Sequence, residues 1–202
     1  MDATHAAQNL EVIRTLMERA TQYQLLTARA GLAAGILAGA GAAAFAFLDP
    51  ADPRQFGTVW GLVFVAALVV TSISTVLRGR QQGERIWSRQ ARAVVFALLP
   101  SLFAAMVLSV FFFARGEHLW LPGVWMLCYG QGALATASYA PKPIGSFGIG
   151  VLIAGAITLV LGPAWAIPMM GIVFGVGHLA LGVVMLIMER RQIILRVHRS
   201  VA

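Results

Sequence analysis

The chain has 202 residues, of which 59% are hydrophobic and only 11% are charged. Soluble domains usually carry about 25% charged residues, so this composition excludes an ordinary soluble protein and favours a membrane protein. The formal net charge is +7, but the basic residues stand at the ends of long apolar stretches and form no folded nucleic-acid-reading module. The charge therefore predicts orientation in a membrane and attraction to anionic lipid headgroups, and no nucleic-acid partner.

The first segment, residues 1–29, is polar and predicted to be cytoplasmic. Within residues 9–26, apolar side chains recur at helical spacing, with Asn9 placed as an N-cap, so we expect an amphipathic helix. Two roles remain open for it: lying on the inner leaflet or beneath the spans, and docking a cytoplasmic protein partner. The apolar run that follows exceeds the ~15 residues of a signal-peptide core, so we expect no cleavage.

Six apolar runs follow, each of roughly the 20 residues that cross a bilayer as a helix. None contains Asp, Glu, Lys or Arg. Backbone groups in hydrocarbon must be bonded internally, and uniformly apolar runs lack the alternation of a barrel, so helices are predicted. The expected fold is all-α: a six-helix transmembrane domain over residues 30–188, with spans at 30–48, 57–77, 93–114, 119–140, 144–162 and 164–188.

Polar or proline-containing turns separate these runs. The weakest break is Gly162-Pro163, but runs five and six together are too long for one crossing, so two spans are predicted. Every Lys and Arg except Arg54 and Arg115 lies in segment 1–29, loop 78–92, the loop at Lys142 or the basic tail 189–202. The positive-inside rule therefore predicts a cell (inner) membrane protein with both termini cytoplasmic.

The arginines of loop 78–92 and of the tail are predicted to set orientation and contact anionic headgroups at the cytoplasmic face. Binding of an anionic ligand by the loop, and recognition of a partner by the tail, remain open. Trp60, Trp120 and Trp165 fall near the opposite ends of their spans, at the expected headgroup level. The orienting residues are Arg78, Arg80, Arg85, Arg89, Arg92, Arg190 and Arg191.

Small residues recur every three to seven positions in spans one and six. They predict faces where helix backbones approach closely. Whether the contact lies within one chain or between copies in a homo-oligomer is left open. The predicted packing residues are Gly31, Gly35, Gly39, Gly171, Gly175 and Gly182.

His178 is the only histidine within the apolar runs, near the middle of span six. An ionisable residue at that depth is a candidate functional residue, and Tyr129 and Gln131 lie near the middle of span four. We expect a midplane polar site of His178, Tyr129 and Gln131. A hydrogen-bonded structural histidine and a ligand, ion or proton site both remain open.

No catalytic motif is present. The chain lacks the His-Glu-x-x-His and Gly-x-Ser-x-Gly patterns. Cys128 is its one cysteine, so an intrachain disulfide is excluded. We expect no enzyme, no metal and no cofactor.

Four segments carry a resemblance: 9–14 (NLEVIR), 17–19 (MER), 121–130 (LPGVWMLCYG) and 175–178 (GVGH). With the six-run layout, they resemble a family of small six-span bacterial inner-membrane proteins with no established activity. The resemblance implies the topology and the membrane. Two functions follow from the residues: non-enzymatic sensing, signalling or a structural role through the cytoplasmic segments, or a small oligomeric transporter or channel using the His178 face.

Overall fold

The computed structural model describes residues 27–83 and 87–201, without the side chains of Gln82 and of residues 192–201. Within these ranges the chain is helical and contains no strand, which confirms the all-α prediction. The predicted amphipathic helix at 9–26 and Arg85 lie outside the described residues. The α-helices are α1 Ala28–Ala44, α2 Pro53–Gln82, α3 Arg89–Ala114, α4 Leu121–Ala135, α5 Lys142–Leu161, α6 Ala166–Met170 and α7 Gly177–Val201.

Three short elements complete the path. A π-helical segment, Gly171–Val176, joins α6 to α7. The 3₁₀ turns His118–Trp120 and Pro163–Trp165 precede α4 and α6. Gly162, with φ of 83°, separates α5 from the turn that follows, since only glycine adopts such a conformation readily. The predicted break at this position is confirmed.

Among the described residues, four helical stretches are long and apolar enough to cross a membrane: Pro53–Gln81, Arg89–Ala114, Lys142–Leu161 and Pro163–Arg191. Two other helices are shorter than their predicted runs. α1 has 17 residues and α4 has 15. At 1.5 Å per residue they extend about 26 and 23 Å, less than a hydrocarbon core of about 30 Å.

The basic loop is shorter than predicted, because local capping extends both neighbouring helices into residues 78–92. α2 continues to Gln82 and ends at Gly83, whose φ of 66° is the left-handed conformation of a helix C-cap. α3 begins at Arg89, where the Ser88 hydroxyl accepts a hydrogen bond from the backbone N–H of Ala91. Most of the predicted loop is therefore helical.

The start of α2 is also fixed locally. Asp52 is the N-cap, and its carboxylate accepts a hydrogen bond of 2.8 Å from the backbone N–H of Arg54. Pro53 follows at the first helical position, where its missing N–H costs nothing. The hydrogen bond from Arg54 and a second from the Gln55 side chain stabilise the ionised form and lower the pKa of Asp52.

The helices pack as two pairs with two outer helices. α1 lies against the π segment and α7, while α4 lies against α5; α2 packs on α1 and α3 packs on α4. The buried core forms where these elements meet: Phe56, Trp60, Leu121, Met126, Val151, Met170 and Val173. α2 and α3 leave most of their large apolar side chains exposed, as helices that face lipid do.

Close contact between α1 and α7 depends on the predicted glycines. A Cβ on Gly35 would lie 2.7 Å from the backbone nitrogen of Leu179 and 2.8 Å from the carbonyl oxygen of Gly175. A Cβ on Gly31 would lie 3.3 Å from the Cα of Gly182. Side chains at these positions would push the helices apart, so the small residues permit the approach.

A second glycine contact joins α4 to α5. A Cβ on Gly130 would lie 2.8 Å from the carbonyl oxygen of Gly148, and one on Gly155 would lie 3.0 Å from that of Gly123. The glycine faces of α1, α4, α5 and α7 thus meet within one chain. A Cβ on Gly39, another predicted packing residue, would meet nothing within 4 Å.

Candidate functional site

A buried histidine and a half-buried tyrosine meet inside the bundle. His178 is the second residue of α7, just past the π segment, and only 7% of its surface is exposed. Its Nε2 lies 2.9 Å from the hydroxyl oxygen of Tyr129 on α4. The sequence placed both residues near the middle of their spans, and the fold brings them into one hydrogen bond between non-adjacent helices.

Two phenylalanines enclose this pair. The Phe147 ring from α5 meets the His178 ring edge-on, with centroids 4.8 Å apart. The Phe174 ring from the π segment stacks on the imidazole at 5.7 Å and meets Tyr129 edge-on at 5.4 Å. These contacts fill the space around the imidazole, so the site is a packed polar pair in an aromatic shell.

The π segment ends two residues before His178. A π turn bonds each N–H to the fifth preceding carbonyl, so the return to α geometry leaves one carbonyl without its usual backbone donor. The Nε2 of His178 faces the Tyr129 hydroxyl, while its Nδ1 is buried and has no hydrogen-bond partner among the described residues.

Gln131 does not join the pair. Its side chain is exposed, while Tyr129 on the same helix points inward. Residues two apart in an α-helix lie about 200° apart around the axis, so both cannot face the same neighbour. The predicted three-residue site is a two-residue site in the structure.

The sequence analysis missed a second buried histidine. His118 stands in the turn between α3 and α4 and is 3% exposed. Its Nε2 donates a hydrogen bond of 3.0 Å to the carbonyl oxygen of Pro50. Nδ1 is buried and has no partner. A four-residue polar turn gives no sign of burial, because one of the rings that cover His118, that of Phe56, comes from a helix distant in sequence.

Those rings form an aromatic cluster at the end of the bundle opposite the basic tail. Phe113 stacks on the His118 ring at 5.8 Å, and Phe56 meets it at 5.1 Å. Phe56 also stacks on Trp125, whose indole N–H donates to the Ser109 hydroxyl at 2.8 Å. The cluster joins α2, α3 and α4 at this end.

Trp60 belongs to the same cluster. It was expected at the headgroup level, but only 4% of its surface is exposed. Phe45 stacks on it at 6.2 Å, and its indole nitrogen has no hydrogen-bond partner. Trp60 therefore packs the core, whereas Trp165 is exposed and Trp120 is half-buried.

At the opposite end, an ion pair connects two helices that are far apart in sequence. The guanidinium Nη1 of Arg78, near the end of α2, lies 2.6 Å from a carboxylate oxygen of Glu189 on α7. The Arg78 side chain is 25% exposed and the Glu189 side chain is 30% exposed. The Nε of Arg78 is buried and has no hydrogen-bond partner among the described residues. Arg78, predicted to contact headgroups, is instead held by a carboxylate.

Five other predicted orienting arginines are on the surface of the described structure. Those whose side chains are described and exposed are Arg80, Arg89, Arg92, Arg190 and Arg191. The Arg78–Glu189 ion pair links the end of α2 to α7. Arg80 follows it on α2, and Arg190 and Arg191 follow it on α7.

The chemistry available in these sites is hydrogen bonding and packing. Tyr129 and His178 face each other, and no third polar side chain joins them within the described part of the chain. No group of three or more His, Cys, Asp or Glu side chains able to hold a metal occurs among the described residues. Cys128 is buried and free.

Comparison with known proteins finds no matching family, no similar curated protein and no similar solved structure.

Proposed function

We propose that this chain is a six-span integral protein of the bacterial inner membrane that acts without catalysis, by sensing or signalling through its cytoplasmic segments. Both termini, loop 78–92 and the tail lie on the cytoplasmic side in this proposal. In this proposal α1 and α4 also cross the membrane, although each is shorter than the hydrocarbon core is thick. A bilayer can become thinner around short helices, and neighbouring helices cover part of their surface. The distribution of Lys and Arg supports the orientation.

The Arg78–Glu189 ion pair is the observation that carries the proposal. It joins the end of α2, which leads into the basic loop, to the start of the basic tail on α7. A shift of either helix within the membrane changes the position of one basic segment relative to the other. A cytoplasmic partner or an anionic lipid surface would detect that change, because loop and tail together carry most of the positive charge.

The transporter hypothesis receives less support from the contacts around His178 and between the helices. The His178 imidazole is enclosed by Tyr129, Phe147 and Phe174, so its face offers no space for a passing solute. The glycine faces that would join copies of the chain are occupied by intrachain contacts. Transport would need a large rearrangement of both.

Distance measurement between two spin labels tests the coupling. The labels are placed at Gln81→Cys on α2 and Met188→Cys on α7, both exposed, in a Cys128→Ala background. We expect a narrow distance distribution in lipid nanodiscs. Arg78→Gln and Glu189→Gln should each broaden it, and the double variant should broaden it no further, because both remove one interaction.

Arg80→Gln is the matched control, since Arg80 is exposed on the same helix end. It should leave the distribution unchanged. Equal distributions in the wild type and in both single variants would show that the ion pair does not couple the helices, and would overturn this mechanism. A solute flux into proteoliposomes that is lost in His178→Phe would replace it with transport.

A further inference from the structure

The π segment Gly171–Val176 interrupts the apolar stretch Pro163–Arg191 near its middle. At the end of the segment, the backbone N–H of Gly177 donates a hydrogen bond to the carbonyl oxygen of Ile172, five residues earlier. An α-helix bonds each N–H to the fourth preceding carbonyl, so a π turn contains one residue more than the α turn that it replaces. The stretch therefore holds one residue that a continuous α-helix with the same ends does not need.

The helix before this segment is fixed by the core. Ala166 is 0% exposed and Met170 is 4% exposed, and Met170 belongs to the same buried cluster as Phe56. A Cβ on Gly171 would lie 3.1 Å from the Cβ of Ala42, so α1 also limits movement at that point. α6 is therefore held in one rotation about its axis.

The helix after the segment is fixed by two polar contacts on one side of α7. The Nε2 of His178 lies 2.9 Å from the Tyr129 hydroxyl oxygen. Glu189 stands about three α-helical turns further along, at 3.6 residues per turn, and its carboxylate pairs with Arg78 at 2.6 Å. Side chains that are a whole number of turns apart point in nearly the same direction, so both contacts depend on one rotation of α7.

The place of the extra residue decides whether both sets of contacts form together. Each α-helical residue turns the chain by about 100°. With the π segment between Met170 and His178, α6 and α7 make their contacts at the same time. If the extra residue moved along the helix past His178, this side chain would turn by about 100° and leave Tyr129.

The contacts around the segment permit such a movement. An added Cβ on Gly175 would lie 3.2 Å from a Cα atom of α1, and one on Gly177 would lie 3.2 Å from a phenylalanine ring of α5. Glycines have no side chain that interdigitates with a neighbour, so these two contacts set the distance between the helices but not their rotation. The directional contact is the hydrogen bond between His178 and Tyr129.

We propose that the π segment is a hinge between α6 and α7, and that the hydrogen bond between Tyr129 and His178 holds this hinge in the state that the structure shows. Helices bend sharply at π turns, so movement of the extra residue changes the angle between α6 and α7. α7 carries Glu189 and the residues of the basic tail, and the hinge thus supplies a movement for the ion pair to transmit. Only this last step rests on the proposed function.

Two deletions test whether the segment carries an extra residue. Ile172 is exposed and precedes His178, so a chain that lacks it can close the π turn into an α-helix with α6 and α7 in their present rotations. It should melt at the wild-type temperature or above in mixed detergent micelles. Val183 is exposed too, but it lies in regular α-helix between His178 and Glu189. Its deletion rotates Glu189 by about 100° away from Arg78 and should lower the melting temperature by several degrees.

Amide hydrogen exchange in lipid nanodiscs, read by mass spectrometry of peptides, tests the hinge. Tyr129→Phe removes the hydrogen bond that holds it, so exchange in residues 171–178 should rise about fivefold, the ratio expected for one hydrogen bond. The rise should be absent when Ile172 is also deleted, because a continuous α-helix has no π turn to move. Tyr139→Phe is the matched control, since Tyr139 is exposed beyond the end of α4, and it should leave the exchange unchanged.

Three results would overturn the hinge. They are equal losses of stability in the two deletions, unchanged exchange in Tyr129→Phe, and a rise in exchange that all helices share equally, which indicates global destabilisation alone. The spin-label distances described above test the ion pair separately. Distances that depend on Arg78 and Glu189, without local exchange at residues 171–178, would retain the proposed function and remove the hinge. Local exchange with distances that do not depend on the ion pair would retain the hinge and remove the proposed function.

Discussion

The hydroxyl of Tyr129 and the Nε2 of His178 lie 2.9 Å apart and join α4 to α7 across the interior of the bundle. His178 is buried, since phenylalanines from α5 and the π segment pack against the imidazole, and Tyr129 is half-buried. An unpaired polar group in such surroundings is costly, so the two side chains stabilise each other's burial. The pair is therefore a specific structural link with a measurable contribution.

Tyr129→Phe should lower the free energy of unfolding by about 1 kcal/mol, because it removes the hydroxyl and leaves the ring contacts in place. Reversible unfolding in mixed detergent micelles measures the difference. Tyr139→Phe is the control, since Tyr139 is exposed and should tolerate the change. His178→Leu should be destabilising as well, and equal stability of the wild type and both site variants would remove the structural role of the pair.

Gly35→Ala and Gly39→Ala should differ strongly although they lie one turn apart on α1. A Cβ at Gly35 meets the backbone of Leu179 and Gly175 below 3.0 Å, which should cost about 1–3 kcal/mol as the helices separate. A Cβ at Gly39 meets nothing within 4 Å, so Gly39→Ala should be neutral or slightly stabilising. Thermal unfolding in detergent compares them, and equal losses would contradict the α1–α7 contact.

Asp52 should make α2 sensitive to acid. The hydrogen bonds to Asp52 lower the pKa of its carboxyl in the folded protein. The stabilisation that they give is therefore complete above about pH 4, the ordinary pKa of an aspartate, and is lost as the pH falls through the lower pKa of the folded state. Asp52→Asn keeps a capping side chain but cannot titrate. Melting temperatures between pH 6 and pH 3 should therefore fall less steeply in this variant, and parallel curves would argue against the carboxylate's role.

The two ends of the molecule should be on opposite sides of the membrane. In the proposed orientation the basic tail is cytoplasmic, so a green fluorescent protein fused after Ala202 should fluoresce and alkaline phosphatase fused there should be inactive. Phosphatase inserted after Pro50, in the turn between α1 and α2, should be active. The reverse pattern would invert the proposed orientation and, with it, the sidedness of the basic segments.

The sequence by itself determined the helical class and most helix positions. Long apolar runs without charge are physically restricted to helices in hydrocarbon, and prolines, glycines and capping residues such as Asp52 and Gly162 act on their own neighbours. These effects are local, so they are visible in a window of a few residues. Because these effects are local, the helix predicted for span six and the break before it lie close to where the structure has them.

Only the tertiary structure decided which residues meet. The pairing of Arg78 with Glu189 and the burial of His118 depend on how helices distant in sequence are placed and rotated. The same is true of which residue, Tyr129 or Gln131, faces His178. The π segment also resets the rotation of α7, which periodicity at 3.6 residues per turn does not foresee. Hydrophobic runs specify that a helix is buried in lipid or protein, but they do not encode its neighbour, because apolar contacts are non-directional.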